Sequence, residues 1–156
     1  MGNIETAPWR WKIDNWFILH QNSAYVEIIH TNGGTLGFGQ PLGQADFYPN
    51  YGRWQPGCGW EITGICSHGR APEIFAESIN HNGFVAQRCA SFEEVNKDRC
   101  TSEDERFIMR PEPANYGLQG VFYLSTNQVS PFGTGMWDVR HVSEEKEMFW
   151  LGYFQS

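Results

Sequence analysis

His68 is the side chain whose type and setting point most directly to chemistry. It stands two residues after Cys66 and is followed by Gly69-Arg70-Ala71. An imidazole titrates near neutral pH and can serve as a general base. By residue type alone His20, His30, His81 and His141 have equal or weaker claims. His30 ends an apolar run and reads as a cap on that run's backbone hydrogen bonds. A base needs a nucleophile, and no serine here sits in Gly-x-Ser-x-Gly, the nucleophile elbow of α/β hydrolases. Cys66 is too close to His68 along the chain to give good geometry for a Cys–His dyad. HExxH, P-loop and EF-hand patterns are absent. Gly37-x-Gly39-x-x-x-Gly43 misses the dinucleotide pattern by one residue. No cofactor or metal is expected.

The four cysteines, Cys58, Cys66, Cys89 and Cys100, form no CxxC, which argues against a structural zinc. An even count in a chain rich in glycine and aromatic residues suggests two disulfides and an oxidising compartment. Pairing of sequence neighbours, 58 with 66 and 89 with 100, closes two short loops.

Composition narrows the partners. The formal net charge is −7 and no long block of one sign occurs, so a phosphate backbone finds no basic patch. The acidic stretches Glu93-Glu94, 102–105 and 143–147 read as solvated surface. No apolar run approaches the roughly 18 residues that span a bilayer. Residues 1–17 lack the basic and apolar regions of a signal peptide. A disulfide reading without such a peptide implies that the natural N-terminus is missing.

The elements that must position His68 are few. Tyr25-Val26-Glu27-Ile28-Ile29-His30 reads as a buried strand stopped by Asn32-Gly33-Gly34. Residues 35–59 read as loop, punctuated by glycine and proline. A helix is predicted over 72–80: Pro72 suits a first turn, Glu73 favours the dipole, and Phe75 and Ile79 share a face. Gly83 can end it in the left-handed conformation. His68 then lies on the loop before the helix. Val121-Phe122-Tyr123-Leu124 is a second strand, preceded by irregular chain. Strand, loop and helix in that order fit part of an α/β domain.

Five segments, in order, resemble the pancreatic lipase family: YVEIIHTNGG at 25–34, ADFYPN at 45–50 followed by QPGC at 55–58, CSHGRA at 66–71, FAESI at 75–79, and FYLST at 122–126 followed by SPFG at 130–133. The resemblance covers about 22–135 and leaves 1–21 and 136–156 unmatched. It implies a partial α/β-hydrolase fold, the C-terminal part of a lipase domain without the half bearing the nucleophile elbow. It implies a secreted ester hydrolase acting on triacylglycerol, phospholipid or galactolipid at a lipid–water interface. His68 matches the catalytic histidine of a serine–aspartate–histidine triad, and the implied disulfides are Cys58–Cys66 and Cys89–Cys100. The first disulfide frames a lid, here only residues 59–65, a short lid like that of phospholipase A1-type and insect members.

The serine, oxyanion donors and aspartate precede YVEIIHTNGG in the family, and the 24 residues before it here do not match. Asp14 is no substitute for the aspartate, and the family's calcium-binding acids have no match. The sequence therefore reads as an ester hydrolase fragment, inactive alone. The alternatives are a lipid-binding, yolk-protein-like relative without catalysis and a disulfide-stapled secreted module unrelated to lipid. The retained His68 favours the first.

Overall fold

The computed structural model describes residues 25–81, 83–100, 106–109 and 117–135. They form a five-stranded mixed sheet with few helices. In chain order the strands are β1 (Glu27–Ile29), β2 (Ala45–Pro49), β3 (Val85–Arg88), β4 (Arg106–Ile108) and β5 (Gly120–Leu124), arranged β1-β2-β5-β3-β4. β1, β2 and β5 run parallel, with Phe47 opposite Ile29 on one side and Phe122 on the other. β3 is antiparallel to β5 and to β4. Among the described residues two α-helices, α1 (Ile65–Asn80) and α2 (Phe92–Asn96), and a short 3-10 helix at Asn50–Gly52 accompany the sheet.

Alternation along β2 and β5 sorts side chains to two faces. Ala45, Phe47, Phe122 and Leu124 pack with Ile74 of α1, Phe84 and Phe132. Tyr48 and Val121 point the other way and pack with Val95 of α2 and the Cys89–Cys100 disulfide. The sheet is thus sandwiched between α1 and a smaller layer of α2 and disulfide.

Several elements differ from the sequence reading. β2 lies within the stretch read as loop, and every one of its residues is buried. Asp46 and Pro49 disguise it, yet Asp46 is bonded within the fold and Pro49 stands at the strand's end. β1 is shorter than 25–30 and only half-buried, because it is a sheet edge. β3, α2 and β4 occupy chain read as irregular; they are short, and their regularity comes from the pairing of β3 with β5 and of β4 with β3, and from the disulfide packed with α2.

α1 begins seven residues before Pro72, which sits inside the helix. Proline at a first turn is a preference, and other contacts, described below, start this helix earlier. Its end at Asn80 agrees with the reading, but Gly83 does not cap it. His81 takes the C-cap in extended conformation, and its N–H bonds the Glu77 carbonyl. Gly83 instead packs against Gly133, where a Cβ would meet backbone at 3.2 Å.

Candidate active site

His68 lies in the first turn of α1, not on a loop before it. The buried residues of α1 are Ser67, Arg70, Ile74 and Ser78. Ile65, His68, Pro72, Phe75 and Ile79 form an exposed stripe at helical spacing. Phe75 and Ile79 therefore share a face that is turned to the surface. Among the described residues no serine, acid or other side chain bonds the His68 ring. Ser67, its neighbour, is fully buried and its Oγ accepts the Gln55 N–H at 3.0 Å. It is committed to structure and faces away from His68.

The start of α1 is built by the disulfide loop before it. Cys58 is bonded to Cys66. The N-cap, Gly64, has φ +70° and offers no side chain. Glu61 supplies the cap from inside the loop: its Oε2 accepts the Cys66 N–H and its Oε1 the Ser67 N–H, each at 2.7 Å. Desolvation raises the Glu61 pKa, but hydrogen bonds from Ser67 and Cys66, with the Arg70 charge, outweigh it and hold the carboxyl below its ordinary range. The neighbouring Trp60 and Ile62 are almost fully exposed.

Two anchors fix α1 to its surroundings. Arg70 donates to Glu73 at 2.9 Å and to the Pro56 carbonyl at 3.2 Å, and its guanidinium stands 4.3 Å over the Phe132 ring. The Glu77 carboxylate accepts the N–H groups of Phe132 and Gly133, both at 2.9 Å, and the Ser130 hydroxyl at 3.0 Å.

His30 has the acid partner that His68 lacks, in the wrong place. Its Nε2 is 2.8 Å from Asp46 Oδ1 and its Nδ1 is 2.9 Å from the Phe38 carbonyl oxygen. Both nitrogens are turned to acceptors within the fold, so neither is presented to a substrate. The ring stacks on Tyr48 at 4.4 Å, on the sheet face away from α1. His30 therefore does more than cap β1. His81 is exposed at the end of α1. His20, His141 and Asp14 lie outside the described residues.

Cys89 is bonded to Cys100 under α2. One atom each from Cys58, Glu61 and Cys66 lie within 4.8 Å of one another, but the two sulfurs are bonded to each other and leave no thiolate for a metal. A groove of about 390 Å³ lies beside α2, lined by Gly33, Phe38, Arg53 and Phe92 among others, and His68 does not line it. No helix among the described residues is long and apolar enough to cross a membrane.

Sequence reasoning singled out His68 but missed Glu61 as the cap of its helix. A glutamate three residues before a glycine N-cap carries no standard capping signal. The paired cysteines around it were the only hint that it is held near the helix start.

The class of protein follows from comparison with known families. The Lipase family model matches residues 18–132, and the chain belongs to that family. Among individual relatives it is similar to phospholipase A1 of Vespa crabro, 35% identical over 116 residues, which covers 74% of this chain and 38% of that protein. It is also similar to pancreatic triacylglycerol lipase of Oryctolagus cuniculus, 30% identical over 147 residues, covering 76% of this chain and 32% of that one. A phospholipase A1 of Vespa tropica is 49% identical over a shorter stretch of 65 residues, 41% of this chain and 21% of the relative. The chain thus spans about a third of the length of the curated relatives it matches.

Proposed function

We propose that this chain is the histidine-bearing part of a secreted lipid ester hydrolase, with His68 the general base. The observation that carries the reading is His68 itself: a histidine within the lipase-matched region, exposed on a firmly held helix turn, with its ring free of other duties. In such a hydrolase the histidine takes the proton of a serine hydroxyl as that oxygen attacks the ester carbonyl, and an acid holds the imidazole in the right tautomer. The Gly-x-Ser-x-Gly pattern that would mark the serine is absent from these 156 residues, and no acid among the described residues bonds the His68 ring. The chain alone is therefore inactive toward esters. Phospholipid or triacylglycerol at a lipid–water interface is the substrate class that the relatives' names support. Two disulfides support an extracellular setting.

Two measurements test the reading. The chain alone should hydrolyse no ester and take up no fluorophosphonate; stoichiometric labelling of any serine overturns the fragment reading. In a longer chain that supplies the serine and acid, His68→Ala should remove nearly all turnover. Retention of more than about a tenth of it, a cost near 1.4 kcal/mol, overturns the general-base role and favours a lipid-binding relative without catalysis.

A further inference from the structure

We propose that Glu61 is a positioning residue for His68, clamping the first turn of α1 and coupling the exposed tip of the disulfide loop to the histidine. The proposal rests on His68 being the general base.

The first N–H groups of a helix have no partner within it. At α1 the cap residue, Gly64, cannot supply one. Glu61 satisfies two, at Cys66 and Ser67, the residues directly before His68. Hydrogen bonds to a carboxylate are stronger than neutral ones, and a negative charge at this end complements the helix dipole. The His68 N–H is the next in line and bonds the Gly64 carbonyl at 2.9 Å.

The other side of the same turn is weakened. Four residues beyond His68 stands Pro72, which has no N–H to give the His68 carbonyl. The peptide units around His68 thus depend on the clamp more than an ordinary helix start does. The clamp is also linked to the surface, since Glu61 turns in between Trp60 and Ile62, which both turn out. The ends of this loop are tied by Cys58–Cys66. A displacement of the Trp60–Ile62 tip must therefore pull on the Cys66 and Ser67 amides. Arg70 is the cation whose charge acts on Glu61, and it is itself paired with Glu73.

Amide hydrogen exchange on the full chain tests the clamp, comparing wild type, Glu61→Ala and Glu61→Gln across acidic to neutral pH. Glu61→Ala should speed exchange at Cys66, Ser67 and His68 by about tenfold or more, the effect of one charge-assisted hydrogen bond. Amides of β5 should be unaffected. Glu61→Gln, which keeps an acceptor oxygen, should recover part of the protection. In wild type the protection should fall away only below the ordinary glutamate value of 4.5. If Glu61→Ala fails to fold, the wild-type pH series decides: protection that does not follow an acidic titration overturns the clamp. In a longer chain with serine and acid, Glu61→Ala should lower kcat more than it alters KM. A dispensable His68 there sinks the general-base reading whatever the amides do. An essential His68 with equal Cys66 and Ser67 exchange in wild type and Glu61→Ala sinks the clamp alone.

Discussion

His30 Nε2 lies 2.8 Å from Asp46 Oδ1 in a pair that is only 2% exposed on either side, and the pair sits on the sheet face opposite the helix that carries His68. Asp46 is further held by the N–H groups of Leu42 and Gly43. The geometry resembles the acid–histidine half of a catalytic triad, but its second nitrogen is spent on a backbone carbonyl.

This pair should matter to stability and not to chemistry. Removing one partner leaves the other without this buried hydrogen bond, at a cost of about 1–3 kcal/mol. Asp46→Ala should lose that much in denaturant unfolding, and His30→Ala a comparable amount. The double variant should cost less than the sum of the two. Additive losses would mean that the pair is not coupled.

Legibility followed how local each signal was. The β5 run of Val121 to Leu124 and the end of α1 are written in apolar spacing, and both are found where the sequence put them. β2 was unreadable because its Asp46 makes sense only once His30 and the Leu42–Gly43 backbone surround it. The start of α1 was misplaced because its cap, Glu61, and its anchor, Cys66–Cys58, act from outside the helix. The Cys66-Ser67-His68 setting singled out His68 as a candidate, but its exposed position on a helix face was not legible, because that depends on where α1 begins.

Glu77 gathers three donors from the 130–133 loop onto α1. That loop sets Phe132 beneath the Arg70 guanidinium and into the core. Glu77→Ala leaves the Phe132 and Gly133 N–H groups without this acceptor. The expected loss is on the order of 2 kcal/mol, with faster exchange at those two amides. Glu77→Gln should keep part of the protection. Unchanged exchange at Phe132 and Gly133 in Glu77→Ala would contradict the anchor.

Glu27 gives a pH dependence of known sign. Desolvation on β1 raises its carboxyl above the ordinary 4.5, and the hydrogen bond from Tyr25 opposes this only in part. A raised folded value means that the fold favours the protonated acid. Its contribution is fully present below the unfolded value of 4.5 and is lost as pH rises through the higher folded value. Glu27→Gln, always neutral, should therefore be more stable than wild type at neutral pH. The gap should close as the solution is acidified below 4.5. A gap of the same size at both ends of the range would show that desolvation is not its cause.

Gly64 and Gly69 flank His68 and should respond to alanine in opposite ways. Gly64 has φ +70°, and a Cβ there would lie 2.7 Å from Asn32 Oδ1 and 2.9 Å from its Nδ2. Asn32 cannot easily yield: it is 2% exposed and its Oδ1 accepts the Leu36 N–H at 2.9 Å. The left-handed backbone costs an L-residue about 1–2 kcal/mol before any clash. Gly64→Ala should therefore lose about 2–3 kcal/mol and disturb the Glu61 cap beside it. Gly69 lies inside α1, and a Cβ there would meet nothing within 4 Å. Replacing a helical glycine in open space should gain about 0.5–1 kcal/mol, because alanine loses less backbone entropy on folding. The comparison needs only thermal or denaturant unfolding of the two variants beside wild type. Equal effects from the two would mean that the close approach of Gly64 to Asn32, and with it the early start of α1 that places His68, is wrong.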